Sequence, residues 1–143
     1  MNCKVVAAAG VFLAAMLASP AADAATLTVR VGNIDPRGGD LHVALFTEAT
    51  WSDNDAEPAA SAVVPAVAPE TVVIFRDVKP GVYGLKSFQD VNRNGEFDRN
   101  LFGLPLERYG FSRDARPFLS TPGFDKTRFT IADGASEITI HLQ

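Results

Sequence analysis

The sequence predicts an all-β protein: an antiparallel β-sandwich of about seven strands, following an N-terminal signal peptide. Three observations carry this. Apolar and polar residues alternate with period two in several separate stretches. Clusters of Gly, Pro, Asn and Asp punctuate those stretches at fairly regular spacing. Where the alternation lapses, Pro58, Pro65 and Pro69 forbid a long helix.

The first element is not part of the fold. Lys4 supplies a short positive region, Val5 to Ala18 an uninterrupted apolar run, and Ala22-Asp23-Ala24 a small-residue cleavage site, the order of a secretory signal peptide. The apolar run falls short of the roughly 20 residues that cross a bilayer, and Ser19-Pro20 breaks it, so no permanent membrane anchor is expected. Cys3 precedes the apolar run, whereas a lipoprotein cysteine would follow it, so no lipidation is expected there. Residues 1–24 are thus assigned to the signal peptide and 25–143 to a single sandwich domain, periplasmic or secreted.

Beyond Cys3 the chain has no cysteine, so a packed core, with or without a bound ion, must hold the domain together. Its length suffices for one such core and not for two. Lys4 and Asp23 cancel, so the formal net charge of −4 survives cleavage. No basic stripe interrupts the mild acidity, and no nucleic-acid partner is expected. Oligomeric state leaves no signature.

Within the domain, Leu27, Val29 and Val31 alternate in one strand and Leu41, Val43 and Leu45 in the next. Asp35-Pro36-Arg37-Gly38-Gly39 supplies turn chemistry between them, so the pair is expected to form a hairpin. Thr47 to Glu70, rich in Ala and Pro, is expected to be a long excursion with one helical turn near Thr50 to Asp53. Thr71 to Arg76, the turn Lys79-Pro80-Gly81 and Val82 to Gln89 predict a second hairpin. Asp90 to Asp125 shows no periodicity. Thr127, Phe129 and Ile131, then Ala132-Asp133-Gly134, then Ile138, Ile140 and Leu142 predict a third hairpin that closes the domain.

The segment DVNRNGEFD, residues 90–98, carries the most chemistry. With Asp90 as the first position, Asn92 is third, Asn94 fifth, Gly95 sixth, Glu96 seventh and Asp98 ninth, the front half of a calcium loop. Alternate side-chain oxygens of a tightly curled segment point at one centre, Gly permits the bend, and the seventh residue offers its carbonyl. Hard oxygen donors without Cys or His select calcium over zinc or copper. The twelfth position is Leu101, not Glu, and a strand precedes the loop, so this is not an EF-hand. A remote carboxylate would have to complete the shell, either Glu107 or Asp114. Phe97 is expected to anchor the loop to the core. Asp90, Glu96 and Asp98 against Arg93 and Arg99 leave a loop charge of −1, which points to the weak regime of extracellular modules, a Kd of roughly 10⁻⁴ to 10⁻³ M. Against the metal reading, Asx turns and the Asn94-Gly95 dipeptide explain the same residues as an ordinary polar turn.

From Val73 to Leu142 the chain resembles domain-of-unknown-function family 2141, small exported bacterial proteins. The resemblance rests on KPGVYGLKSFQDVNRNGEFDRNLFGLPLERYGFSRDARP followed by PGF, which is similar to the family's G-x-Y, D-x-N-x-N-G-x-x-D, G-[IL]-P-x-E-x-Y-G-F-S and P-x-F patterns. It implies a small exported sandwich with a transthyretin-like or immunoglobulin-like outline, and it implies no activity. One position departs from the pattern: where members often carry His before the first Asp of the loop, this chain has Gln89.

No catalytic constellation emerges. Ser112 lies in Gly-Phe-Ser-Arg-Asp rather than in a nucleophile elbow, and the only bases on offer are His42 and His141. Asp90 and Asp98 are explained better as ligands than as an acid–base pair. Arg108, Tyr109, Phe111, Arg113, Arg116 and Phe118 crowd residues 106–124; they form either a ligand face, since Arg and Tyr are common hot-spot residues, or a loop pinned by aromatics with solvated arginines. Trp51 poses the same choice. The leading expectation is an exported module of unassigned, non-catalytic activity with a structural calcium site at Asp90, Asn92, Asn94, Glu96, Asp98 and Glu107. A carbohydrate- or peptide-binding module using residues 106–124 is the alternative, and an uncharacterised hydrolase the third reading.

Overall fold

A computed structural model describes residues 24–143 of the chain; the proposed signal peptide lies outside the described residues except for Ala24. Two sheets face each other across one apolar core. The strands are β1 (Ala25–Gly32), β2 (Asp40–Phe46), β3 (Ala60–Pro65), β4 (Glu70–Val78), β5 (Gly81–Asp90), β6 (Tyr109–Phe111), β7 (Phe129–Ile131) and β8 (Ala135–His141). One sheet runs β4-β1-β8 and the other β3-β2-β5-β6, with β7 pairing the first residues of β5. A 3-10 turn, Ser112–Asp114, and one turn of helix, α1 (Phe124–Thr127), complete the elements.

The expected strands are present, but none of the three expected hairpins is. β1 pairs β4 antiparallel and β8 parallel, whereas β2 pairs β3 and β5. The 33–39 turn therefore carries the chain from one sheet to the other. Lys79-Pro80 does the same between β4 and β5, and the 132–134 turn between β7 and β8. The physical reason is that consecutive half-buried strands can meet side chain to side chain across the core as well as edge to edge, and a tight turn serves both.

Two further strands were not expected. β3 falls inside the Ala/Pro-rich excursion, where its residues are at most half-buried on an edge and the apolar alternation is correspondingly faint. β6, only three residues long, lies in the stretch without periodicity. Near Thr50, successive backbone bonds such as Thr50 N–H to the Thr47 carbonyl make turns rather than a helix.

Inward positions of both sheets form the core, among them Leu27, Val29 and Val31 opposite Leu41, Val43, Leu45 and Leu85, all essentially inaccessible. No described helix is long and apolar enough to cross a membrane.

Candidate metal loop and aromatic trough

β5 is the strand that builds the site. Its last residues, Gln89 and Asp90, are fully buried, although both are polar, and each is held by bonds that satisfy it. Gln89 Oε1 accepts the Asp35 backbone N–H at 2.7 Å, and its Nε2 donates to the carbonyls of Asp35 at 2.9 Å and Gly38 at 2.7 Å. The Gln89 amide thus stitches β5 to the 33–39 turn. Beneath Asp90 lies Gly39, at φ +95°; a Cβ there would sit 2.2 Å from the Asp90 carbonyl oxygen. Only glycine admits this approach.

From Asp90 the chain curls back on its own side chains. Asp90 Oδ1 accepts the N–H of Asn94 at 3.1 Å and Oδ2 that of Gly95 at 2.7 Å. Asn92 Oδ1 accepts the Asn94 N–H at 3.3 Å, and Asn94 Oδ1 accepts that of Glu96 at 3.0 Å. Both asparagines donate their amide groups to the Asp98 carboxylate, Asn92 at 2.6 Å and Asn94 at 2.9 Å. Arg93 at φ +56° and Gly95 at φ +79° make the curl. Burial pushes the Asp90 carboxyl up, but the N–H groups of Gly95, Asn94 and Arg93, with His42 beside it, outweigh that and hold it below the usual carboxylate range.

Glu107 is brought to this loop. Its Oε1 accepts the N–H of Val91 at 3.0 Å and its Oε2 that of Asp98 at 3.1 Å, so one buried carboxylate fastens the loop's entry to its exit. Asp114, the other candidate, is engaged elsewhere. Its carboxylate accepts the His141 N–H at 2.7 Å and lies 2.8 Å from His141 Nδ1. Among the described residues no three His, Cys, Asp or Glu side chains gather at one point; the loop's carboxylates are separated by its asparagines.

Phe97 does not reach the core. It packs on the outer face of the sheet, against Phe88 and Tyr109, with ring centroids 5.5 and 5.6 Å away. The reason is direction: the loop folds over the solvent side of β5, away from the opposite sheet. Phe97 thereby becomes one end of a trough.

Strand register lays out that trough. Val63, His42, Phe88 and Tyr109 form one row across the outer face, and Ser61, Ala44, Lys86 and Phe111 the next. His42 stacks on Phe88 at 4.4 Å, and its buried Nε2, without a hydrogen bond, lies 3.5 Å from Asp90 Oδ2. Small residues at Ser61 and Ala44 leave the depression. Trp51 stands at the far end over Gly84, where a Cβ would lie 2.5 Å from its ring, and donates its indole N–H to the Pro122 carbonyl at 2.7 Å. Segments 104–105 and 117–121 wall a volume of about 820 Å³. Tyr109 and Phe111 thus belong to a strand in the trough floor, while Arg108 reaches away to the Asn33 carbonyl at 2.7 Å.

Sequence reasoning missed the Gln89 clamp, the Gly39 contact and the trough. The trough had a signal: aromatic residues at the outward positions of β2 and β5, where an ordinary exposed face would be polar throughout.

Fold and site together define a two-sheet sandwich module in which an Asx-rich loop, clamped by a buried glutamate, closes one end of an aromatic trough. The chain belongs to the bacterial family described as uncharacterized protein conserved in bacteria, domain of unknown function 2141, whose model matches residues 29–139. No curated protein and no solved structure matches the chain.

Proposed function

We propose that the chain is an exported, non-catalytic sandwich module whose Asp90–Asp98 loop takes a calcium ion for stability. The observation that carries this is the convergence of Asp90, Asn92 and Asn94 with Asp98 in one closed hydrogen-bonded curl. The donor set fits a hard cation: two carboxylates, two amides that can present oxygen on turning about the last torsion, and the backbone carbonyl of Glu96. Glu107, with both oxygens on backbone N–H groups, would preorganise the loop. A bound ion would neutralise the Asp90 and Asp98 carboxylates and cross-link the curl. The absence of catalysis is supported by Ser112, whose buried hydroxyl donates to the Thr127 carbonyl and accepts the Leu85 N–H. The signal-peptide pattern of residues 1–24 supports export, and N-terminal sequencing of exported protein should begin at or near Ala25.

Calcium titration of the 25–143 protein tests the metal reading. Ten-fold excess over Kd should stabilise the fold by about 1.4 kcal/mol, a rise of several degrees in Tm. Asp90→Ala or Asp98→Ala should abolish the rise, and Glu96→Gln should preserve it. A wild-type Tm indifferent to millimolar calcium, with magnesium and EGTA equally silent, would leave the loop a polar turn.

A second reading is a ligand-binding module, with carbohydrate and peptide as the ligand classes suggested by residues 106–124. The trough favours it, since its volume and aromatic floor are those of small-ligand sites.

A further inference from the structure

Lys86 occupies an unusual position for a lysine. It lies in the middle of the trough floor, with Phe111 beside it on β6 and Ala44 beside it on β2. Its Nζ sits 4.6 Å from the centre of the Phe46 ring and 4.8 Å from that of Trp51. Among the described residues its Nζ makes one hydrogen bond, to the Trp51 carbonyl at 2.8 Å, and an ammonium has three hydrogens to donate. No ion pair joins it to a carboxylate among the described residues. Asp53 also lines the trough, but its Oδ1 accepts the Asp55 N–H. Burial accordingly lowers the Lys86 pKa. The aromatic rings hold a partly desolvated cation facing a cavity, with donor capacity to spare.

The walls narrow the complement further. Leu104 and Leu119 flank the cavity and are largely exposed, at 60% and 97%. Polar side chains that also line it, Asp53, Asn54, Ser61, Arg99, Ser120 and Thr121, are all exposed, so a polyhydroxyl ligand would find few buried hydrogen-bond partners there. An apolar body would bury the exposed side chains and gain from every carbon removed from water.

We propose that the trough binds an amphiphilic monocarboxylate, an aliphatic or aromatic body ending in a single carboxylate, with Lys86 as the carboxylate's partner and Phe88, Tyr109 and Phe111 under the body. This rests on the trough being a ligand seat and names its chemistry. It does not depend on the calcium loop.

Trp51, the chain's single tryptophan, touches Lys86 and reports the site. Sodium octanoate should perturb its fluorescence saturably, whereas sodium acetate, a head without a body, should not. Lys86→Met keeps the methylene stem and removes the charge, and should weaken octanoate about tenfold or more, the worth of a charge-assisted bond. Lys86→Arg should restore most of the affinity, and Ala44→Phe, which fills the floor, should block binding; an unchanged Tm confirms that each variant is folded. Octanoate binding equal in wild type and Lys86→Met to within about twofold, or no better than acetate, overturns the proposal. Binding of octyl glucoside, an oligosaccharide or a neutral peptide in place of octanoate would overturn it while leaving the trough a ligand seat. Silence from all of these would remove both.

Discussion

The side chain of Gln89 and the backbone of Asp35 pair as two strands would: the amide oxygen accepts the Asp35 N–H at 2.7 Å and the amide nitrogen returns a bond to the Asp35 carbonyl at 2.9 Å. Because β1 and β2 belong to different sheets, no ladder bond could hold the turn between them. One fully buried side chain supplies the missing pairing. Gln89→Leu should therefore cost about 1–3 kcal/mol, since it takes the partner from the buried Asp35 N–H and from the Gly38 carbonyl, while the Asp35 carbonyl keeps the Gly38 N–H. Gln89→His, which keeps one donor and one acceptor, should lose less. Urea unfolding of the two variants checks the order.

Glu107 plays the corresponding role one strand further on. With both oxygens accepting backbone N–H groups, Glu107→Gln turns an NH₂ toward a donor and should destabilise the fold by about 1–3 kcal/mol without any metal present. Hydrogen exchange should accelerate at the amides of Val91 and Asp98. Asp114→Asn, whose partner is His141, should leave those amides unchanged. Equal exchange in Glu107→Gln and wild type would refute the clamp.

Glycines separate two kinds of constraint. Gly39→Ala meets both a positive φ and a backbone wall under Asp90, and should cost about 2–4 kcal/mol. Gly95→Ala meets only the positive φ, with open space around it, and should cost about 1–2 kcal/mol. Thermal melts of the two variants decide it, and similar losses would mean that the Gly39 contact relaxes freely.

Acid should loosen the same region. Hydrogen bonds from the Arg37 guanidinium and backbone lower the Asp35 pKa to about 2, and Asp90 is lowered as well. A carboxyl depressed on folding contributes stability that is present above its unfolded value, about 3.9, and lost as pH falls through its folded value. Tm should thus hold down to about pH 4 and fall between about pH 4 and 2. Asp35→Asn should flatten part of that fall. A wild-type Tm independent of pH across this window would contradict the assignment.

Much of the strand inventory was legible because burial leaves a period-two trace: Leu27-Val29-Val31 and Leu41-Val43-Leu45 lie where alternation puts them. Pairing was not legible. Asp35-Pro36-Arg37-Gly38-Gly39 and Lys79-Pro80-Gly81 are good turns whichever sheet the next strand joins, and sequence alternation is identical for strands meeting across the core. β3 was invisible because half-burial on an edge asks little of its side chains. At the site, the residues of the curl were readable from spacing, whereas Glu107 and Asp114 stood as alternative remote carboxylates until the structure put Glu107 on the loop and Asp114 on His141. The Gly39 contact and the trough arise between strands distant in sequence, and only register brings Ala44, Lys86 and Phe111 into one row.

The parallel pairing of β1 with β8 has a mechanical meaning. Thr26 lies opposite Ala135 at one pole of the sandwich, and Gly32 opposite His141 at the other. Tension applied between Ala25 and Leu142 would draw the two strands past each other along their length, so their ladder would bear the load in shear, all bonds together, instead of unzipping one bond at a time. The sandwich would therefore resist stretching along that axis far better than a pull that peels β8 away from its end.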